Sequence, residues 1–175
     1  MVDKIKFTEL ELPLINEGVY VIERPLKEFD GKSVIIDLTR RLRGKGAEIS
    51  FKLKVENDKI IVSPNRINIL GFFIRRMMRK GINYVEDSFD IQCKDAILKI
   101  KPFLITRKKV HRSVRNALRI KTKQELTEYV KDKNYEEIFL EILQDNLQKN
   151  LSRKLKKVYP LSFCDIRDIF VVKKI

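Results

Sequence analysis

Ala47-Glu48-Ile49-Ser50-Phe51-Lys52-Leu53-Lys54-Val55-Glu56-Asn57-Asp58-Lys59-Ile60-Ile61-Val62-Ser63 is the stretch that decides the fold class. Ile49, Phe51, Leu53 and Val55 alternate with Ser50, Lys52 and Lys54, which is the period of a strand with one apolar face. Asn57-Asp58 then turns the chain into Lys59-Ile60-Ile61-Val62, so the stretch reads as a hairpin. A second pair lies downstream, where Ser88 to Cys93 and Ala96 to Ile105 flank a tight Lys94-Asp95 turn. Upstream, Val19-Tyr20-Val21-Ile22 follows the turn signal Asn16-Glu17-Gly18, and Ser33 to Leu38 follows Asp30-Gly31; both are strand candidates. Phe163 to Val172 supplies a closing strand.

Helical patterns fill the gaps. Asn65 is placed to cap a helix running to about Lys80, with Gly81 ending it. Ile67, Leu70, Ile74, Met77 and Met78 would share its apolar face, with Arg75, Arg76, Arg79 and Lys80 opposite. Phe72 falls on the cationic side, where packing under a neighbouring loop is favoured over stacking on a base. After the second hairpin, Val110, Val114, Ala117 and Leu118 form a narrow helical seam, leaving Arg112, Arg115 and Arg119 along one outer face. Thr122 and Glu125 have the spacing of a capping box, which predicts a break near Lys121. A last helix is expected from Asn134, with Glu137 three residues on, to about Tyr159, where Pro160 stops it. Its apolar stripe is Leu140, Leu143, Leu147, Leu151, Leu155 and Val158. The opposite face is acidic at first (Glu136, Glu137, Glu141, Asp145) and basic at the end (Lys149, Arg153, Lys156, Lys157), an order that also suits the helix dipole. The elements amount to an α+β chain, with one domain over 26–175 preceded by an N-terminal segment, 1–25.

With 175 residues the chain can bury a core without disulfides or metals. The net charge of +14 and a pI near 9.8 are the informative quantities, because self-repulsion on that scale opposes the compact state unless a polyanion neutralises it. No apolar run approaches the ~20 residues that span a bilayer, and Met1-Val2-Asp3-Lys4 carries no secretory or myristoylation signal. The expected partner is therefore nucleic acid rather than a membrane, and the expected compartment is the cytoplasm.

The candidate RNA-binding residues are Arg40, Arg41, Arg43 and Lys45; Arg75, Arg76, Arg79 and Lys80; Arg107, Lys108, Lys109, His111, Arg112, Arg115 and Arg119; and Arg153, Lys156 and Lys157. One such run is ordinarily a solvated face. Several runs, with few acids among them and each beside an ordered element, point to a broad footprint on phosphates. A duplex-DNA regulator would concentrate its contacts in one recognition helix and dimerise, so a free-standing nucleic-acid-binding regulator is the second reading.

Catalysis has little to draw on. Cys93 and Cys164 have no CxxC partner and read as two buried free thiols, and His111 is the only histidine. There is no Walker A loop, Rossmann fingerprint, nucleophile elbow or HExxH. Asp87, Asp90 and Asp95 could be imagined as a metal-dependent nuclease cluster, but they flank a strand start and make an ordinary turn. His111, inside the densest cationic segment, reads as a stacking or phosphate-facing side chain. No cofactor, metal or small-molecule substrate is expected.

The order of these features resembles the archaeal and eukaryotic small-subunit ribosomal protein family called S-one-e, also known as S-three-A-e. Over roughly Gly31 to Ile175 the matching residues are Gly31-Lys32, Ile74-Arg75-Arg76 with Arg79-Lys80, and Phe89-Asp90-Ile91 with Lys94-Asp95. They continue with Leu98-Lys99-Ile100-Lys101-Pro102, Thr106-Arg107 with Arg112, Arg115-Asn116-Ala117-Leu118-Arg119, Lys156-Lys157-Val158-Tyr159-Pro160-Leu161 and Asp165-Ile166-Arg167. The family's Leu-Thr-Arg-Asp before the first helix is blurred into Pro64-Asn65-Arg66-Ile67, and the basic, Trp-containing start of typical members is not matched. The resemblance implies a curled, mainly antiparallel, barrel-like sheet with peripheral amphipathic helices. It also implies a ribosome-bound structural protein on the platform near the messenger exit. There it would contact small-subunit rRNA and neighbouring ribosomal proteins, with mRNA and initiation factors as further partners and no catalytic residue.

Overall fold

A computed structural model describes residues 7–15, 17–22, 25, 28–56 and 59–175. The elements in chain order are β1 (Phe7–Leu12), β2 (Glu17–Ile22), β3 (Ser33–Asp37), β4 (Ala47–Glu56), β5 (Lys59–Ile69), α1 (Gly71–Met77), β6 (Tyr84–Glu86), β7 (Phe89–Gln92), β8 (Ala96–Thr106), α2 (Arg112–Lys131), α3 (Tyr135–Leu143), α4 (Asn146–Leu155) and β9 (Leu161–Lys174). The fold is α+β. β1 and β2 pair as a hairpin, and a seven-stranded sheet runs β3-β4-β5-β9-β8-β6, with β7 also on β8.

Every pairing is antiparallel. Both hairpins read from the sequence are present: Val55 faces Ile60 across the first, and Gln92 faces Ile97 across the second. The sheet is open, with β3 at one edge and β6 and β7 along the other side of β8, so it does not close into a barrel. Proline placement explains two irregularities. Pro64 sits opposite Phe51, where the β4-β5 register shifts, and Pro102 lies where β8 slips on β9 and where Asp87-Ser88 interrupt the partner strand. A residue with no N–H to give is tolerated in a sheet at such places.

Three helical expectations need correction. No helix starts at Asn65, because β5 continues to Ile69: Arg66, Ile67 and Asn68 pair with Phe170, Ile169 and Asp168 of β9. Only 71–77 are helical, so Arg79 and Lys80 follow the helix and Gly81, at φ +86°, makes a turn rather than a cap. α2 runs uninterrupted through Lys121, since the Thr122 hydroxyl donates back to the Leu118 carbonyl at 2.6 Å and buried Glu125 pairs with Lys121 at 2.9 Å and with Lys154. The last helix begins at Asn134 with the expected capping box, but it breaks at Asp145, whose φ of +58° is left-handed, and resumes as α4. Ile138, Phe139 and Ile142 are buried, whereas Leu140 and Val158 are exposed.

The main core gathers Ile49, Phe51, Ile67, Leu98, Ile100 and Ile169 of the sheet with Leu118 and Leu126 of α2, Phe139 of α3 and Leu151 of α4. Within 1–25, Leu12 and Ile15 join this core, and Leu10 packs with Phe29 and Leu53 in a smaller cluster. A third cluster seats α1 through Phe73 and Ile74 on Phe103, Ile105 and Ile69.

β9 is held in the sheet by Asp168. Its buried carboxylate accepts two bonds from Arg66, at 2.8 and 2.9 Å, and one from Lys101 at 2.9 Å. Burial pushes its pKa up, but the hydrogen bonds from Arg66 and Lys101 outweigh that and hold the carboxyl below its ordinary value. A lowered folded pKa means that the stabilisation is complete above the unfolded value of about 4 and is lost as pH falls through the folded one. Asp168→Asn is therefore expected to lose about 3 kcal/mol at pH 7, with the gap to wild type narrowing below about pH 4; urea unfolding at both pH values reads this.

Candidate nucleic-acid interface

The antiparallel order fixes where the connections lie. β8 ends where β9 begins, since Thr106 faces Leu161; Ile69 at the end of β5 faces Ala47 at the start of β4; and Tyr84 at the start of β6 faces Ile105. By the same parity β3 ends beside the start of β4. The connections 38–46, 70–83, 107–111 and 156–160 thus emerge at one end of the sheet. They contain four, four, three and two Lys or Arg, and no Asp or Glu. Basic segments far apart in sequence are gathered there by strand parity alone.

Each connection is fixed by its own contacts. Arg41 donates from Nη1 to the Ile15 carbonyl at 2.6 Å, and the Leu70 N–H donates to the Gly46 carbonyl at 2.9 Å. Phe72 is 50% exposed yet covers Gly46 so closely that a Cβ there would meet its ring at 2.5 Å. That is the packing under a loop expected of it. The third connection is stapled to the second. The Thr106 N–H donates to the Asn83 carbonyl at 2.9 Å, the Asn83 N–H donates to the Thr106 hydroxyl oxygen at 3.1 Å, and Asn83 Oδ1 accepts the Val110 N–H at 2.8 Å. Arg107, Lys108 and Lys109 project from this staple and are exposed, as are Arg75, Arg76, Arg79 and Lys80 beside it.

The remaining candidates separate into three groups. Arg40, Arg43 and His111 are exposed, His111 standing at the N-cap of α2. Arg153 and Lys156 line a cleft of about 580 Å³ with Arg107, Lys149 and Ser162 and with the carboxylates Asp145 and Asp165, and Lys157 is exposed beyond it. Arg112, Arg115 and Arg119 line a second hollow of about 490 Å³ on α2, against Tyr84. Lys45 differs from all of these. Its side chain is 14% exposed, and its ammonium lies 2.7 Å from Asp165 and 2.9 Å from Asp145. Burial would lower its pKa, but the two carboxylates more than compensate and raise it. Lys45 therefore spends its charge in the fold: it holds the left-handed Asp145 at the break between α3 and α4 and neutralises Asp165.

Lys149, placed by its spacing on the basic face of the last helix one turn before Arg153 but not among the candidates, also lines the cleft. Tyr84, at the edge of the second hollow, lies in a three-residue strand too short to show a period.

Little among the described residues resembles a reacting centre. Cys93 is buried and Cys164 partly exposed; burial and the neighbouring Asp165 push the Cys164 thiol up to about 12, which keeps it protonated and unreactive. Two of the three aspartates weighed as nuclease ligands face cations instead: Asp90 is 3.5 Å from Lys99, and Asp87 is 3.9 Å from Arg119. Among the described residues no group of three His, Cys, Asp or Glu could hold a metal ion, and no helix is long and apolar enough to cross a membrane.

A cationic end of this extent, whose two neighbouring carboxylates Asp145 and Asp165 are taken up by Lys45, is electrostatically complementary to a polyanion, a property of proteins that assemble with nucleic acid rather than turn over a small substrate. The family comparison agrees and is more specific. Residues 31–175 match the ribosomal S3Ae family, and the chain belongs to that family. Over 176 residues it is 29% identical to small ribosomal subunit protein eS1 of Nanoarchaeum equitans, covering 96% of this chain and 88% of that one. The eS1 proteins of Saccharolobus islandicus and Saccharolobus solfataricus are each 22% identical over 144 residues, covering 81% of this chain and 69% of theirs. The chain is a ribosomal protein, structural rather than enzymatic.

The two kinds of cation make opposite predictions. Lys45→Ala strands Asp165 and is expected to lose about 3 kcal/mol, a fall of roughly 6–12 °C in Tm for a chain of this size. Arg107→Ala is expected to leave Tm within about 2 °C, since surface substitutions away from structural features change stability little. Calorimetry of both variants separates structural from surface charge.

Proposed function

We propose that this protein is a structural constituent of the small ribosomal subunit whose basic sheet end binds small-subunit rRNA. The observation that carries the reading is the convergence of four connections bearing Lys and Arg, without one acid, at a single end of the sheet. Each cation docked on a phosphate releases condensed counterions, and the arginines can grip phosphate oxygens in pairs. The grouped candidates then act as one footprint: Arg40, Arg41 and Arg43; Arg75, Arg76, Arg79 and Lys80; Arg107 to Lys109 with His111; Arg112, Arg115 and Arg119; and Arg153, Lys156 and Lys157. Lys45 supports the footprint from inside.

Family membership supports a finer placement within that reading. The site is the platform of the cytoplasmic subunit, near the messenger exit and the 3′ end of the rRNA, beside neighbouring ribosomal proteins and within reach of mRNA and initiation factors. The acidic start of α3, with Glu136 and Glu137 exposed, suits a protein neighbour better than RNA.

The quadruple variant Arg79→Glu, Lys80→Glu, Lys108→Glu, Lys109→Glu changes only exposed side chains on the two stapled connections. It is expected to keep its Tm within a few degrees while shifting out of the small-subunit peak in high-salt gradients. Unchanged co-sedimentation of the variant, with intact subunits, would contradict the proposal.

A further inference from the structure

The cleft of about 580 Å³ lies between α4 and the start of β9 and has a size within the range of ligand pockets. Asp145, Gln148, Lys149, Ser152, Arg153 and Lys156 recur at spacings of one, three or four residues, so a single face of α4 forms one wall, while Leu147, Leu151 and Leu155 belong to the core. Both carboxylates in the cleft are committed to Lys45, Asp145 at 2.9 Å and Asp165 at 2.7 Å. Arg107, Lys149, Arg153 and Lys156 have no carboxylate partner among the described residues and leave the cleft cationic. Gln148 is 4% exposed, and its amide orientation is fixed: Nε2 donates to the Ile142 carbonyl at 3.0 Å and to Asp165 at 3.2 Å, so the oxygen is the atom left over. That Oε1 is buried and accepts no hydrogen bond among the described residues. A desolvated acceptor left in that state is costly, and a hydroxyl donor entering the cleft would remove the cost.

We infer that this cleft seats one ribose of an RNA strand with its flanking phosphates, the phosphates on Arg107, Lys149, Arg153 and Lys156 and the 2′-hydroxyl donating to Gln148 Oε1. The inference rests on the rRNA-binding reading and deepens it, because dispersed cations attract DNA and RNA alike. The 2′-hydroxyl is the group by which a protein tells the two apart. A bare inorganic anion brings charge but no sugar hydroxyl, and would leave Oε1 as it is. Lys149 and Lys156 are seven residues apart, about 10 Å along the helix, with Ser152 between them, so the cations flank the place of a sugar rather than converge on one point. Ser152 follows Gln148 by one turn, and Ser162 lines the same cleft from β9.

Fluorescence anisotropy of the full-length protein at one fixed salt concentration, with labelled short single strands of one sequence lacking uracil and thymine, tests this. The strands are RNA, DNA and 2′-O-methyl RNA, which keeps the oxygen but has no proton to donate. RNA is expected to bind about tenfold tighter than either of the others, the worth of one hydrogen bond to a buried acceptor. Gln148→Met keeps the length of the side chain and removes the acceptor; it is expected to lower RNA affinity to the DNA level and to leave DNA affinity unchanged. If loss of the bond to Asp165 unfolds that variant, Ser152→Leu replaces it, since it fills the cleft without changing charge and should abolish the advantage of RNA. Wild type that binds DNA or 2′-O-methyl RNA as tightly as RNA, or an RNA preference that survives the folded variant, overturns the cleft assignment alone. Failure of wild type to bind any of the three strands overturns the rRNA-binding reading with it.

Discussion

The insertion of β9 between β5 and β8 is the constraint on which the rest of the structure depends. The last strand of the chain joins β3-β4-β5, from the first half of the sequence, to β6, β7 and β8, from the middle. Without it there would be two separate hairpin systems and no continuous surface for α2 and α4 to cover. Ile166 and Ile169 seal the insertion from the core side, and Asp168 clamps it from the other by taking one cation from each neighbour, Arg66 of β5 and Lys101 of β8. A single buried carboxylate facing two part-exposed cations leaves net positive charge, so the strand is locked without cancelling the charge the molecule needs outside.

The same insertion sets the electrostatic design. Once β9 orients both halves, antiparallel parity sends four connections to one end, and none of them contains an Asp or Glu; Lys45 alone among the cations described there is drawn inward by Asp145 and Asp165. The acids lie elsewhere and serve the fold. Asp165 and Asp145 take Lys45, Glu125 takes Lys121 and Lys154, and Glu86 takes Arg167. A chain at +14 would repel itself least with its charges dispersed. Concentrating them is unfavourable for the free protein and favourable only against a polyanion, which is why geometry carries more weight here than composition.

How legible this was in the sequence depended on the range of the deciding contacts. The hairpins at 47–63 and 88–105 were readable because a two-residue period and a local turn define them. The extension of β5 was not, because Pro64-Asn65 imitates a helix start and it takes the pairing with β4 beyond the register shift, and with β9, where Asp168 lies 102 residues from Arg66, to show that Arg66 is in a strand. The break at Asp145 depends on Lys45, 100 residues distant. Thr122 and Glu125 gave a false stop because a capping-box spacing also fits a hydroxyl bonded back to Leu118 and a carboxylate bonded to Lys121 and Lys154. The basic candidates were legible one by one from charge. Their assembly into one surface, the diversion of Lys45 into the interior and the presence of Tyr84 at the edge followed from topology that no local pattern contains.

The central claim is that the cationic end of the sheet faces ribosomal RNA. A density map of the native small subunit from the source cells tests it most directly. The account predicts this chain in the subunit with connections 38–46, 70–83, 107–111 and 156–160 against RNA phosphates and the β7–β8 turn at 93–95 turned away. A position with that basic end open to solvent and the opposite end on RNA, or the chain's absence from a complete subunit, would contradict it.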